Sequence, residues 1–304
     1  YLNVGLDVGV YYGERKELNK THTICTWQSL NILDKKSHDS ETLTLAEFTD
    51  GVGAIIIDEV HQAKADVLKK LLTVNFANSP IRWGLTGTVP KEEINFTNIK
   101  VSLGEVVGRV SAHDLQQKGI LSNCHVQILQ TGEWKQFASY AEELKFLVTN
   151  TERLAYIARL IDRIKDTGNT LILVDRIETG KYLQAELSTL FSLLGDKPDV
   201  PFISGTVKST NRREEYDDVA TSNNKVIVAT YGVAAVGINI PRIFNLVLLE
   251  PGKSFVRVIQ SIGRGIRRAE DKDHVEIYDI TSNCKFAKRH LTKRKAFYKE
   301  ANYP

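Results

Sequence analysis

An α/β fold in two successive units, each built on a parallel sheet, is what this sequence predicts. Three observations carry the prediction. Short apolar runs alternate along the chain with stretches whose apolar residues recur at helical spacing. The runs are rich in β-branched residues and stop at charged or turn residues. The residues suited to chemistry fall just after the runs, where a parallel sheet gathers its functional groups.

The elements justify this in order. Residues 53–57 (GAIII) form a continuous β-branched run ended by charge, which predicts a buried strand. Residues 171–174 (LILV), 225–229 (KVIVA) and 244–249 (FNLVLL) give the same signal. Between them, residues 65–72 and 182–194 have apolar positions at helical spacing. Residues 154–164 place Leu154, Ile157, Ala158, Ile161 and Ile164 on one stripe. Residues 111–121 (SAHDLQQKGIL) read as the closing helix of the first unit, stopped at Gly119. The expected domains are therefore 1–121 and 122–304. Neither an internal repeat of fixed period nor a low-complexity tract is present.

Composition sets the outer bounds. The 304 residues suffice for two domains, and 42% hydrophobic with 25% charged residues is ordinary for chains that bury a core. A net charge of +3 is too small to argue for a polyanionic partner. Cys25, Cys124 and Cys284 are far apart and lack metal-ligand spacing, so free thiols and a cytoplasmic location are expected. No apolar run approaches the ~20 residues of a membrane span, and no signal peptide opens the chain. The sequence begins at Tyr1 and contains no methionine, which reads as a piece of a longer protein. Residues 285–299 (KFAKRHLTKRKAFYK) are rich in Lys and Arg and fit either a solvated helix face or a phosphate-contacting one.

Three segments carry candidate chemistry. In residues 55–61 (IIIDEVH) a strand ends in two adjacent carboxylates, followed two residues later by a histidine. A carboxylate at a strand tip can hold Mg²⁺ through water, because that hard cation keeps much of its hydration shell. Its neighbour can position and deprotonate an attacking water. Asp58 is assigned to the metal and Glu59 to the water, although acidic pairs after strands also serve as helix N-terminal residues. Residues 85–88 (LTGT) follow the apolar 81–83. The hydroxyls of Thr86 and Thr88 could relay a change at a phosphate to a neighbouring surface, or simply belong to a turn.

The second segment is 260–268 (QSIGRGIRR), of form QxxGRxxR. On a helix Gln260, Arg264 and Arg267 lie on neighbouring faces. Gly263 permits close approach, and forked guanidinium donors match phosphate oxygens. A basic surface helix is the plainer reading. The third segment, 228–241 (VATYGVAAVGINIP), runs from a strand into small residues including Gly232 and Gly237. These suit either close approach to a ligand or a tight strand-to-helix turn.

Taken in this order, the blocks resemble the motor core of superfamily 2 helicases. Residues 58–61 (DEVH) look like motif II, 85–88 motif III, 229–241 motif V and 260–268 motif VI. Residues 26–30 (TWQSL) resemble motif Ib, and 171–176 (LILVDR) motif IV. Residues 202–205 (FISG) with Arg212 and Arg213 resemble the segment after it. The wording of motifs V and VI is similar to that of the UvsW-like phage DNA helicases, with RecG and XPB types as more distant relatives.

The resemblance implies two RecA-like domains with a nucleotide cleft between them, the first truncated at its N-terminus, and ATP with Mg²⁺ as cofactors. It implies a DNA partner, branched or duplex, with RNA as the alternative. On these positions it places Asp58, Glu59, Arg264 and Arg267 in catalysis, and His61, Gly237, Gln260 and Gly263 in ATP binding. Thr86 and Thr88 fall to coupling. Thr26, Trp27, Gln28, Arg176, Gly205, Thr230 and Tyr231 fall to DNA contact.

Two departures stand beside this. A phosphate-cradling GxxxxGK[ST] loop is expected upstream of motif II, and none occurs. Gly252-Lys253-Ser254 would need glycine where Val247 stands, and Gly180-Lys181 would need it at Asp175. The 304 residues alone are therefore expected to hydrolyse ATP poorly. Asn239 stands where many members carry aspartate. Besides an RNA helicase, a translocating subunit of a restriction or repair complex and a non-catalytic nucleic-acid-binding module remain as readings.

Overall fold

The computed structural model describes residues 5–18, 20–37, 43–62, 65–87, 93–119, 122–133, 135–196, 199–205, 221–235, 242–252 and 274–303. Its contacts divide the chain into two units, Tyr1–Arg109 and Val110–Pro304.

The first unit opens with β1 (Val8–Tyr12), β2 (Arg15–Lys16) and β3 (His22–Cys25) in one small sheet. β1 pairs with β3 in parallel and with β2 as an antiparallel hairpin, turned at Gly13 with φ 52°. Thr26 caps α1 (Trp27–Lys36), and a Thr44–Glu47 capping box starts α2 (Leu45–Thr49). β4 (Ala54–Ile57) pairs in parallel with β5 (Ile81–Gly84) as a separate two-stranded sheet. Between them lie a 3₁₀ turn (Val60–Gln62), α3 (Ala65–Lys70) and a π-turn (Leu71–Asn75); α4 (Glu93–Leu103) follows.

The single parallel sheet expected of this unit is thus, among the described residues, two sheets, one of them containing an antiparallel hairpin. The run at 53–57 is also less buried than expected. Ile55 and Ile57 pack with Val60, Leu68, Leu72, Ile99 and Leu103, while Ile56 on the other face is 61% exposed. Only one face of β4 is covered among the described residues.

The second unit contains α5 (Ala112–Gln117), β6 (Asn123–Thr131), α6 (Tyr140–Thr149), α7 (Thr151–Ile164), β7 (Thr170–Val174), α8 (Ile177–Leu193), β8 (Phe202–Ile203), β9 (Val226–Thr230), α9 (Tyr231–Ala235), β10 (Asn245–Leu249), β11 (His274–Ser282) and α10 (Lys285–Glu300). Among the described residues six strands form one sheet in the order β6-β11-β10-β7-β9-β8, all parallel.

Both faces are covered, which is why the central strands read as unbroken apolar runs. Leu171, Leu173, Ile227, Ala229, Leu246 and Leu248 face a cluster with Tyr298 of α10. Ile172, Val174, Val226, Val228, Val247 and Leu249 face the α7 stripe and Leu183, Leu187 and Phe191 of α8. Asn150 ends α6 and caps α7 with its side chain. Gly180 lets α8 approach β8, since a Cβ there would lie 2.3 Å from the Phe202 ring. That packing role accounts for the Gly180-Lys181 pair without a phosphate.

Asp279 lies mid-strand in β11, fully buried. Arg294 of α10 meets it with two parallel bonds, Nε to Oδ2 at 2.8 Å and Nη2 to Oδ1 at 2.9 Å. Arg294 also donates to the Pro251 carbonyl at 2.6 Å, and the Tyr298 hydroxyl donates to Asp279 at 2.8 Å. Removing one partner of such a pair strands a buried charge. Arg294→Met is expected to cost the second unit about 3–5 kcal/mol in urea unfolding. Lys293→Met, one residue earlier on the exposed face, should stay within about 0.5 kcal/mol.

Candidate functional site

In the first unit the candidate residues meet at the carboxyl ends of β4 and β5. The ladder continues one step past the strands: Leu85 N donates to Ile57 O at 2.8 Å, and Val60 N to Leu85 O at 3.1 Å. These bonds pin the turn at 58–60 against 85–87. Gly84 packs closely there: a Cβ would sit 2.5 Å from the Leu103 Cδ1 methyl, which would have to shift.

Within the turn, Asp58 Oδ1 accepts from Glu59 N at 2.9 Å, and Glu59 has φ 49°, a left-handed conformation unfavourable for a side-chain-bearing residue. His61 Nδ1 shares a 2.6 Å hydrogen bond with Thr86 Oγ1 and lies 3.3 Å from Glu59 Oε2. Its Nε2 is buried with no hydrogen-bond partner among the described residues. Both carboxylates are exposed. The structure therefore brings together Asp58, Glu59, His61 and Thr86. Two hydrated carboxylate oxygen donors, with no Lys or Arg paired to them among the described residues, suit a divalent cation that keeps its water shell.

In the second unit every strand is parallel, so all their carboxyl ends form one rim. Arg176 follows β7 and is the N-cap of α8, without a side-chain cap bond. Gly205 follows β8 and is exposed. Thr230 ends β9 and is buried; Tyr231 opens α9 and donates its hydroxyl to Leu249 O at 3.1 Å. Burial pushes the Tyr231 phenol well above its ordinary range. The hydroxyl of Tyr231 is thus already engaged in holding α9 to β10. Thr26, in the first unit, likewise spends its hydroxyl on Ser29 N at 3.3 Å, and Trp27 packs partly against the core, leaving Gln28 exposed. Thr88, Arg212, Arg213, Gly237, Asn239, Lys253, Ser254, Gln260, Gly263, Arg264 and Arg267 lie outside the described residues.

The sequence did not point to a buried ionic network on the same rim. Arg153 of α7 bonds Glu250 Oε1 at 2.5 Å, Glu133 Oε1 at 3.1 Å and the Leu147 carbonyl at 3.0 Å. Glu250 follows β10 with φ 45° and is 7% exposed. A small pocket beside it is lined by Tyr140, Glu143, His290 and Arg294. The available signal was charge directly after a continuous apolar run, as at Asp58.

Two known families match parts of the chain. Residues 3–91 match the family described as type III restriction enzyme, res subunit, and residues 152–269 match the helicase conserved C-terminal domain. The ATP-dependent DNA helicase UvsW of Enterobacteria phage T4 is 23% identical over 246 residues, covering 78% of this chain and 47% of its own length. The chain spans about half the length of the curated relatives it matches.

Among solved structures, a fragment assigned as the HsdR subunit of a type I restriction enzyme from Vibrio vulnificus YJ016 superposes with a TM-score of 0.71. It is 21% identical and covers 99% of this chain and 54% of that one. The helicase MrfA bound to DNA and AMPPNP gives 0.64 at 12% identity, covering 98% and 40%. No helix among the described residues is long and apolar enough to cross a membrane.

The rim network makes a testable statement about pH. Burial pushes the Glu250 carboxyl up to about 7, against the pull of Arg153 and Arg294, from 4.5 in an exposed chain. Between those values the folded state holds more protons than the unfolded one, so this group's contribution makes stability fall as pH rises through the window. Glu250→Gln should remove a slope on the order of 1–3 kcal/mol between pH 5 and 7.5. Urea unfolding of both proteins at the two pH values measures it.

Proposed function

We propose that this chain, which belongs to the superfamily 2 helicases, is the motor of an ATP-dependent DNA helicase or translocase that unwinds or branch-migrates DNA. The observation that carries the reading is the convergence of Asp58, Glu59, His61 and Thr86 where two strand-end turns meet. Asp58 holds Mg²⁺ through its water shell, and Glu59 positions and deprotonates the attacking water. His61 holds the two turns together through Thr86, so a change near the carboxylates can reach residues 85–88. Arg264 and Arg267 stabilise charge developing on the transferred phosphoryl group, with Gln260, Gly263 and Gly237 in nucleotide contact.

For the nucleic acid, α10 is the best-supported surface. Lys285, Lys288, Arg289, Lys293, Lys295 and Lys299 are exposed on one broad face, and none has an acidic partner among the described residues. Arg294, from the same basic segment, points inward to Asp279. The segment thus divides into an outer face able to contact phosphates and an inner anchor. Gln28, Arg176, Gly205 and the backbone around Thr230 and Tyr231 are further proposed contacts. Phosphate contact makes binding salt-dependent and weakly sequence-specific.

In the protein that carries this chain, Glu59→Gln is expected to abolish nucleic-acid-stimulated ATP hydrolysis while ATP binding is retained. Undiminished turnover would remove Glu59 from its role. Stimulation by branched duplex DNA but not by RNA of the same length would support a DNA motor, and the reverse would select the RNA helicase reading. Reversing Lys288, Lys295 and Lys299 to Glu should weaken DNA binding and reduce the slope of log affinity against log salt by about 2–3. An unchanged slope would take α10 out of the interface.

A further inference from the structure

At the opposite ends of the strands, away from the rim, three metal-ligating side chains converge. His125 lies on β6, and His274 and Glu276 lie on β11. The parallel register sets His125 beside Glu276 and Asn123 beside His274, so the three side chains share one face of the sheet. His125 Nδ1 is 3.0 Å from Glu276 Oε1, and His274 Nε2 is 3.7 Å from the same oxygen. All three ligand atoms lie within 4.8 Å of one another. The imidazole rings stack with centroids 5.1 Å apart.

Glu276 is itself oriented. Gln127, two residues along β6, donates to Glu276 Oε2 at 3.1 Å, which leaves Oε1 turned toward the imidazoles. A carboxylate with one oxygen fixed from outside and the other presented to two histidines has the form of a supported metal ligand.

We propose that His125, His274 and Glu276 form a zinc-class transition-metal site that fastens β6, the strand at the sheet's edge, to β11. Tetrahedral zinc with bonds of about 2.0–2.1 Å sets its ligand atoms about 3.3 Å apart, between the 3.0 and 3.7 Å seen here. Two imidazoles with one carboxylate suit zinc and its first-row neighbours rather than Mg²⁺ or Ca²⁺, which favour all-oxygen sets. Three protein ligands leave a fourth position for water. The histidines are about half exposed, so the ion can enter from solvent. Strand-end placement away from the rim keeps the site independent of the ATP reading.

The test is calorimetric titration of the EDTA-treated, dialysed chain with ZnCl₂, and with CoCl₂ for the ligand-field spectrum. One ion per chain is expected, with a cobalt spectrum of four-coordinate nitrogen and oxygen ligation and a raised thermal midpoint. His125→Ala, His274→Ala and Glu276→Gln should each weaken binding about tenfold or more. Their unchanged midpoints in EDTA would show that the variants fold. Gln127→Leu, which touches no ligand atom, should weaken binding to a smaller degree, and Cys25→Ser should leave it unchanged. Absence of saturable binding to the parent chain, or equal binding to the His125→Ala/His274→Ala double variant, overturns the proposal.

Discussion

The second unit depends on one constraint: β10 must run parallel between β7 and β11. Asn245 to Leu248 pair on one side with 170–173, and Asn245 to Leu249 pair on the other with Glu276 to Ile280. Because parallel strands point the same way, this pairing carries Arg176, Gly205, Thr230 and Glu250 to one rim whatever their separation in sequence. It also buries both faces, so polar groups that the rim brings inward are satisfied by partners within the protein. Asp279, Arg294, Arg153 and Glu250 are consequences of that burial, and each has a charged partner within hydrogen-bond distance.

The two units handle their charged residues differently. In the first, Asp58 and Glu59 remain hydrated, held by a ladder extended past the strand ends and by the His61–Thr86 bond. In the second, Arg153 with Glu250 and Arg294 with Asp279 are desolvated and locked in mutual pairs, and Glu143 of α6 caps α10 through Phe286 N and Ala287 N. Hydrated carboxylates can exchange ligands readily, whereas buried pairs keep neighbouring loops in register. Accessibility to a ligand in the first case and scaffolding in the second follow from the same residue types in different solvent.

Much of this was legible in the sequence. β7, β9 and β10 read correctly because double burial writes itself as continuous β-branched residues, and the α7 stripe because one face is apolar. Asp58 and Glu59 stood out because charge follows apolar residues abruptly. β11 was not legible: Glu276, Asp279, Thr281 and Ser282 interrupt it, and the arginine that compensates Asp279 lies on another element. Gly53 to Ile57 looked fully buried because β-branched composition reports strand preference, not whether a second layer covers the strand. Arg294 was indistinguishable from its neighbours within a basic run, since composition carries no phase, and residues 260–268 could be read only as a motif.

That phase gives α10 a further property. Its outward lysines and its inward arginine share a helix but not their surroundings: the former face water, the latter a carboxylate sealed from it. Substitutions outside change the helix's outward charge while leaving the fold untouched. One substitution inside compromises the fold while leaving the outward charge pattern intact.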